Sequence, residues 1–424
     1  MPYAGREAKC RPFFPLYRLR LVHRRQPECY PAREARSLSH LNARRICRVT
    51  LFAEYLGSKT NQKLRKASTR GILLLQGDPK RGRQQEKTTM KYQRMGRSGL
   101  QVPPLCLGTM TFGLQVNQAT SFTILDEAFE QKLTFLDTAD VYPLGGDLST
   151  IGETERIIGE WMKQRGNRHK IQLATKCFAK TERGPNTSGL SRVHIKRAVE
   201  ASLKRLQTDH IDLYQSHGFD SNTPIEETLR AFDDLIREGK VRYVGCSNYP
   251  AWRLSEAAAA AKSLGIEGYI SVQPRYNLLY RDIETELLPL CRHEGLGVIV
   301  YNPLAGGFLS GKYSQGQAPE EGTRFTLGTA AERYQYRYWQ EAQFAAVETL
   351  KQAAKARDVS LVTISVAWVL RQPDITSAII GASSAAQLAA NVAATEFEWD
   401  DELEDLCENV WWTLPRRPVQ EGYR

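Results

Sequence analysis

The chain has 424 residues, 42% of them hydrophobic, which is enough for one large or two ordinary domains around a sizeable core. Charged residues interrupt every apolar run before it reaches membrane-spanning length, so we expect no membrane segment. The eight cysteines show no CxxC spacing, which argues against a zinc site and against a disulfide framework.

The formal net charge of +11 arises from the N-terminal fifth of the chain. Residues 1–89 carry 21 Lys and Arg against 6 Asp and Glu (+15), and the remainder carries 37 against 41 (−4). The net positive charge of the chain therefore gives no information about the substrate of the folded domain.

Residues 1–89 form a basic segment with little periodicity, as in RPFFPLYRLRLVHRR. No charged start followed by a clean apolar stretch and a small-residue cleavage site occurs in it, which excludes a secretory signal. Three interpretations stay open: a basic extension of low order, either disordered or non-native, ahead of a start at Met90; an organelle transit segment; and a nucleic-acid-binding arm. We favour the first, because MKYQRMGRSGLQV, beginning at Met90, predicts two short strands around a Gly-containing turn and so the start of a domain.

From Met90 onward, short apolar segments alternate with helical patterns. Most of the segments are continuous apolar runs, as expected for parallel strands that are buried on both faces. The eight predicted strands are 104–109, 133–138, 171–176, 211–216, 241–247, 268–273, 297–302 and 377–382. Cys106, Cys177 and Cys246 lie at or near the ends of such segments. We expect them to be buried free thiols in a reducing compartment, and hence a cytoplasmic protein.

The intervals between the strands predict amphipathic helices, such as 193–206, in which one apolar stripe faces away from Lys and Arg. In TPIEETLRAFDDLIREGK, Thr223 is predicted to cap the helix, with Pro224 in its first turn. Glu226 would complete a capping box, and Gly239 would end the helix.

Eight strands that alternate with helices predict an α/β fold of the closed (β/α)8 type, a TIM barrel with a short N-terminal hairpin, over residues 90–424. A doubly wound open sheet is the alternative. No GxGxxG follows the first strand, so the sequence gives that alternative little support.

Polar side chains follow nearly every predicted strand at its carboxyl end, where barrel enzymes build their active sites. Asp137 ends the second strand, and the next loop offers Tyr142. Lys176 ends the third strand, and His217 follows the fourth. Each has a structural alternative, since Asp137 could cap a turn, Lys176 could extend to solvent and His217 could be an ordinary rim histidine. The other strand ends supply Ser216, Ser247, Asn248, Gln273, Tyr301, Asn302, Gly381 and Ser383.

Together, Asp137, Tyr142, Lys176 and His217 suit proton transfer to a carbonyl oxygen. A phenol is a weak acid, with an ordinary pKa near 10, and an adjacent ammonium is expected to lower that value. A carboxylate would hold the ammonium in place. Glycosidase chemistry fits less well, because only one strand end carries an acidic residue.

Several motifs in this order resemble the aldo-keto reductase superfamily, most of all its bacterial branch related to the potassium-channel β subunits. They are FLDTADVYPLGG, LATK, IDLYQSHG, VGCSNY, VQPRYNLLYR, YNPLAGGFLSGKY and IIGASSAAQLAANVAA, and the resemblance covers residues 91–412. It implies Tyr142 as general acid, Lys176 as its pKa partner and Asp137 as the group that orients Lys176. His217 would position the carbonyl group of a small substrate.

The resemblance also implies NADPH as cofactor, extended across the rim without a Rossmann fold and without a metal. Ser247, Asn248 and Gln273 would hold the nicotinamide carboxamide, and Tyr301 would stack on the ring. The further cofactor residues that it implies are Thr109, Met110, Asp137, Asn302, Pro303, Leu304, Gly306, Lys312, Arg324, Gly381, Ser383, Gln387 and Asn391. Ala390 stands where relatives often place a Glu, and the loop after Tyr142 is longer than usual.

Substrate choice is expected to come from loops, above all from the long segment 306–339, whose aromatic residues at helical spacing more often pack than line a pocket. The tail WWTLPRR is a candidate to fold back over the rim. Two functions stay open: an NADPH-dependent reductase of an aldehyde or ketone, and an NADPH-binding regulatory or scaffolding subunit with slow turnover. The complete set of four catalytic residues favours the reductase. A homo-oligomer is compatible with the sequence.

Overall fold

The computed structural model describes residues 90–416. The extension predicted over residues 1–89 and the end of the C-terminal tail lie outside this range. Two strands form an antiparallel hairpin, β1 (Gln93–Arg94) and β2 (Gln101–Val102). Eight parallel strands then follow: β3 (Leu105–Gly108), β4 (Phe135–Asp137), β5 (Gln172–Cys177), β6 (Ile211–Ser216), β7 (Val241–Ser247), β8 (Ser271–Gln273), β9 (Gly297–Val300) and β10 (Ser377–Gly381).

The eight strands close into a barrel in chain order, with β10 paired to both β3 and β9. The predicted TIM barrel is therefore confirmed, and each observed strand lies within a predicted segment or passes its end by one residue. The described helices are α1 (Gln118–Glu130), α2 (Glu153–Arg165), α3 (Arg192–Leu206), α4 (Ile225–Arg237), α5 (Ala251–Leu264), α6 (Leu287–Glu294), α7 (Gly328–Tyr338), α8 (Glu341–Ala356), α9 (Leu361–Arg371), α10 (Ala385–Val392) and α11 (Asp401–Val410).

Alternate residues of each barrel strand point to opposite faces, which separates two apolar cores. The larger core lies between the sheet and the helices, and the smaller one fills the barrel with side chains such as Phe135, Leu213 and Ile299. Met95 and Val102 of the hairpin belong to the inner core and are fully buried. The hairpin thus packs into the amino-terminal end of the barrel, and the polar strand ends lie at the opposite end.

The start of α4 differs from the prediction. Pro224, not Thr223, is the N-cap residue, and no side chain caps the helix. The Thr223 hydroxyl instead donates to the Asp220 carboxylate at 2.8 Å, and the same carboxylate accepts the backbone N–H of Leu190. A stronger, charged acceptor in the preceding loop therefore takes the hydroxyl away from the helix end.

Cys106, Cys177 and Cys246 are buried free thiols, as predicted. No helix within residues 90–416 is both long enough and apolar enough to cross a bilayer. Over the same range, no three His, Cys, Asp or Glu side chains are grouped in a way that could hold a metal ion.

Candidate active site

A cavity of about 930 Å³ lies at the carboxyl ends of the barrel strands. That volume is at the upper end for small-molecule sites. The predicted site residues that line it are Thr109, Met110, Asp137, Tyr142, His217, Ser247, Asn248, Gln273, Tyr301, Asn302, Pro303, Leu304, Gly306, Lys312, Arg324, Gly381, Ser383, Gln387 and Asn391. Lys176 is the exception, because its side chain is completely buried and does not line the cavity.

Lys176 forms a buried ion pair with Asp137 below the cavity. Its ammonium nitrogen is 2.5 Å from Asp137 Oδ2 and donates to the Thr138 carbonyl at 2.8 Å. The other carboxylate oxygen accepts from Gln273 Nε2 at 2.8 Å and from Gln215 Nε2 at 3.3 Å. A buried ion pair is stable only where such further hydrogen bonds satisfy both charges, and this one has them.

Tyr142 lies against this pair and against His217. The Lys176 ammonium is 5.2 Å from the centroid of the Tyr142 ring. The Tyr142 and His217 rings meet edge to face, with centroids 5.7 Å apart. Both side chains line the cavity although each is nearly buried.

The pKa of Tyr142 differs from the expectation. Burial raises it well above the usual value, and the Asp137 carboxylate raises it further, while Arg324 acts in the opposite direction. Any lowering by Lys176 is therefore outweighed, in the site as it stands, by burial and by the Asp137 carboxylate.

The pKa of His217 is lowered rather than raised, because burial disfavours the charged form of a base. Burial and the neighbouring Lys176 ammonium hold the pKa of the imidazole well below its usual range. His217 is consequently neutral at physiological pH, and one ring nitrogen carries a proton that it can donate in a hydrogen bond.

The ends of β7 and β8, together with the residue after β9, bring a set of amide and hydroxyl groups together. Ser247 Oγ donates to the Gln273 carbonyl at 2.8 Å, and Asn248 Nδ2 donates to Ser247 Oγ at 2.9 Å and to the His217 carbonyl at 3.0 Å. The Tyr301 hydroxyl donates to Asn248 Oδ1 at 2.8 Å. The four residues that the resemblance assigned to the nicotinamide therefore form one connected network with the backbone of His217.

The loop after β9 approaches the cavity through its backbone. Gly306 has φ +72°, and a Cβ at this position would lie 2.6 Å from the Tyr334 ring, so only glycine fits. Its N–H donates to Asn302 Oδ1 at 2.8 Å, which fixes the turn. Lys312 follows in the same loop and is paired with the exposed Glu320 at 3.2 Å.

The end of β10 and the start of α10 form the opposite part of the cavity. The hydroxyl and the backbone N–H of Ser383 both donate to Gln387 Oε1 at 2.9 Å, and Asn391 Nδ2 donates to the Gln387 carbonyl at 2.8 Å. Arg324 Nη1 lies 3.4 Å from Met110 Sδ. No carboxylate within the described residues pairs with Arg324, so its charge is available at the cavity wall.

Residues 104–411 match the Aldo/keto reductase family. The chain belongs to this family. It is 40% identical over 327 residues to the uncharacterized oxidoreductase YrpG of Bacillus subtilis, covering 76% of this chain and 96% of that protein. It is 36% identical over 343 residues to a probable voltage-gated potassium channel subunit beta of Arabidopsis thaliana, covering 79% and 100%. It is 34% identical over 322 residues to norsolorinic acid reductase A of Aspergillus parasiticus, covering 72% and 78%. The resemblance seen in the sequence is confirmed, and the chain is an oxidoreductase.

The segment 306–339 of this aldo/keto reductase is not simply a loop, because it contains α7. Most of its aromatic residues pack, as expected: Phe308, Tyr313, Phe325 and Trp339 form one cluster with Phe344 of α8. Tyr334 lines the cavity, whereas Tyr336 is exposed. The tail reaches the rim but not the cavity: Trp411 contacts Tyr280, and no described residue beyond Asn391 lines the cavity.

The two departures from the family pattern both lie on the rim. Ala390 lines the cavity and offers no hydrogen-bonding side chain there. The long loop after Tyr142 packs on the segment 306–339, since a Cβ on Gly145 would lie 2.6 Å from Leu327 Cγ. Leu144 of the same loop lines the cavity.

Some residues of this aldo/keto reductase site were not selected from the sequence. Gln215 binds Asp137, and the cavity wall also includes Leu144, Phe219, Trp252, Arg275, Tyr280 and Arg337. The twofold period of a strand could have found two of them. Gln215 has the same orientation as Leu213 inside the barrel, and Arg275 follows Gln273 by two residues.

Proposed function

We propose that this aldo/keto reductase reduces an aldehyde or ketone to an alcohol, with NADPH as hydride donor and Tyr142 as general acid. The observation that carries the proposal is the position of the Tyr142 phenol on the cavity wall. It lies beside the neutral His217 and against the buried Lys176–Asp137 pair. A proton donor, a hydrogen-bond donor and a fixed positive charge thus converge on one place.

The residues present fit a dinucleotide with phosphate groups. Lys312 and Arg324 would hold phosphates by charge, and the amides of Asn248 and Gln273 would bind the nicotinamide carboxamide. Tyr301 would stack on the nicotinamide ring. The remaining contacts would come from residues that line the loop after β9 and the start of α10: Pro303, Leu304, Gly306, Gly381, Ser383, Gln387 and Asn391.

When bound, the cofactor would supply a hydride to the carbonyl carbon. Tyr142 then donates its hydroxyl proton to the carbonyl oxygen, so that hydride and proton together convert the carbonyl group to an alcohol. The raised pKa of the phenol keeps it protonated until that moment, and the transfer still runs downhill because an alkoxide is a much stronger base than a phenolate. Lys176 stabilises the phenolate that remains, and His217 orients the carbonyl oxygen by a hydrogen bond.

Tyr142→Phe is the direct test of the acid. We expect kcat/KM for carbonyl reduction to fall by about 10²–10⁴-fold, because the proton donor is lost. The dissociation constant for NADPH should stay unchanged, since the cofactor contacts come from other residues. Tyr92→Phe is the matched control, because Tyr92 is exposed and does not line the cavity. Wild-type turnover in purified Tyr142→Phe would refute the assignment.

The cofactor preference is a second prediction. Lys312, Arg324 and Ser383 suit an extra phosphate group, so NADPH should bind more tightly than NADH by roughly a hundredfold, the equivalent of one or two charge-assisted contacts. Fluorescence titration measures both constants, and Arg324→Met should narrow the ratio. Equal affinities in the wild type would contradict the proposal.

A regulatory subunit with slow turnover is the second candidate. It is favoured by the similarity, over its full length, to the Arabidopsis protein named as a probable potassium channel subunit. NADPH oxidation across a panel of aldehydes, ketones and quinones distinguishes the two functions. Turnover that stays slow with every substrate, despite tight NADPH binding, would favour the regulatory subunit.

A further inference from the structure

Arg275 lies on the cavity wall and has no part in the mechanism above. It follows Gln273 by two residues, and its backbone pairs with Tyr301 in a short parallel bridge. The guanidinium carbon is 3.4 Å from the centroid of the Tyr280 ring and 5.9 Å from that of Tyr338. The aromatic face fixes the plane of the guanidinium, so its N–H edge is held in a defined direction.

Arg275 also lacks a close counterion. Within residues 90–416, no carboxylate lies within 4 Å of its nitrogens, although Asp282 lines the same cavity. Arg281, only six residues further on, contrasts with it and pairs with both Glu284 and Glu408. A half-buried guanidinium without a carboxylate partner is costly, and an anionic ligand would offset that cost.

Arg337 of α7 places a second positive charge on the wall of the same cavity. It lines the cavity and has no ion pair with a carboxylate in the part of the chain that the structure describes. Burial raises the pKa of the Tyr301 hydroxyl, and Arg337 and Arg275 both counter that rise, so both charges act on this hydroxyl. Tyr301 in turn raises the pKa of Tyr142. The geometry agrees, because Arg275 lies 5.9 Å from the ring of Tyr338, the residue after Arg337, and both arginines line the cavity that Tyr142 lines.

We propose that Arg275 and Arg337 form an anion subsite, and that the natural substrate is a carbonyl compound that also carries a carboxylate or a similar anionic group. The inference rests on the proposed reductase function and names its substrate class. Lys312 and Arg324, in the loop after β9, remain for the phosphates of the cofactor. A substrate anion held by Arg275 and Arg337 would leave its carbonyl group free to reach Tyr142 and His217.

Two aldehydes of similar shape test this subsite: 4-carboxybenzaldehyde and its neutral amide, 4-carbamoylbenzaldehyde. The wild-type chain should show a higher kcat/KM for the carboxylate, by about tenfold or more, because the free energy of one charge-assisted hydrogen bond corresponds to a factor of that size. Arg275→Met and Arg337→Met should each lower kcat/KM for the carboxylate far more than kcat/KM for the amide, and so remove most of this preference. Arg292→Met is the control, because Arg292 is exposed and pairs with Asp374.

Asp282→Asn gives a test in the other direction. It removes the negative charge that shares the cavity with Arg275, so the preference for the carboxylate should rise above that of the wild type. Arg275→Lys should keep part of the preference, since the charge remains while the planar donor edge is lost. These variants keep the test decisive if Arg275→Met folds poorly.

Three results would overturn the subsite: no preference for the carboxylate in the wild type, an equal loss for both aldehydes in the arginine variants, or a loss of NADPH affinity in them. The last result would assign the arginines to the cofactor. If the wild type reduces neither aldehyde, the reductase function fails, and the subsite is then tested by calorimetric binding of terephthalate. Weaker binding to Arg275→Met would support the subsite, and equal binding would reject it.

Discussion

His217 is neutral in the fold, and this makes stability depend on mild acid. Its pKa in an unfolded chain is about 6.5, whereas burial and Lys176 depress it in the folded state. As pH falls below about 6.5, the unfolded chain takes up a proton that the folded chain does not, so the free energy of unfolding decreases. We expect His217→Gln to lose less stability than the wild type when pH falls from about 7.5 to 5.5.

Melting temperatures at the two pH values measure this difference. His194 is also buried with a lowered pKa, so the acid dependence of His217→Gln should be reduced but not abolished. The exposed His293 supplies the control, and His293→Gln should follow the wild type. The explanation fails if His217→Gln and the wild type lose the same amount.

At the residue scale, the sequence was sufficient to select the catalytic candidates, because strand ends can be counted. Asp137 ends β4 and Lys176 lies one residue before the end of β5, and parallel pairing of these strands brings the two residues together. The pKa of Tyr142 could not be predicted in the same way. It depends on the near-complete burial of the phenol and on the nearby Asp137 carboxylate, and both are properties of the folded chain.

Two segments of the rim, the loop after Tyr142 and residues 306–339, contact each other. Gly145, with φ +88°, lies against Leu327 just before α7, and Gln115 Nε2 donates to the Gly322 carbonyl at 2.9 Å. Gly145→Ala should push the segment 306–339 away from the loop after Tyr142. Because that segment carries Lys312 and Arg324, NADPH affinity should fall by roughly fivefold, which corresponds to about 1 kcal/mol.

Gly166→Ala is the matched control for Gly145→Ala. Gly166 also has a positive φ, of +60°, but a Cβ there would meet no atom within 4 Å. Both variants should lose about 1–2 kcal/mol of stability from the left-handed backbone, and only Gly145→Ala should weaken NADPH binding. Equal NADPH affinities in the two variants would show that the contact with Leu327 does not support the cofactor site.

Two elements show why local sequence patterns are not sufficient to predict the structure. Thr223 has the right residue type and spacing for a cap, but Asp220 competes for its hydroxyl. The helical spacing of the aromatic residues within 306–339 is consistent with α7, but it does not show where the helix packs. The helix joins the cluster around Phe308 and Phe325 through Tyr334, and the members of that cluster are spread over residues 308–344.

The barrel as a whole is complete without residues 1–89. Its eight strands close on themselves, and Met95 and Val102 of the hairpin fill its amino-terminal end. A chain that starts at Met90 should therefore keep the melting temperature and the kinetic constants of the full chain. It should also lose non-specific binding to nucleic acid at low salt, because the segment with a net charge of +15 is gone.

Calorimetry, steady-state kinetics and a low-salt DNA-binding assay on both chains test this prediction. A shortened chain that melts well below the full chain would show that the extension packs on the barrel. If stability held but the shortened protein lost its place in the cell, the transit-segment interpretation would be supported instead.

The fold was the most predictable property of the molecule. Strands buried on both faces appear as continuous apolar runs, and eight of them with helices between leave few architectures. The shape of the substrate part of the cavity was the least predictable. Trp252, Arg275 and Arg337 come from three separate connections after barrel strands, and their local sequences do not show that they line one cavity.

The buried Lys176–Asp137 pair also limits how such a sequence can change over evolutionary time. Losing one partner leaves an uncompensated buried charge, which costs about 3–5 kcal/mol, a large part of the stability of a typical domain. Tyr142 and His217 are neutral in the fold, so each can be replaced at a smaller cost. A lineage that abandons catalysis but keeps the cofactor would therefore lose the phenol or the imidazole first. The Lys–Asp pair would persist in its descendants as a trace of the former enzyme.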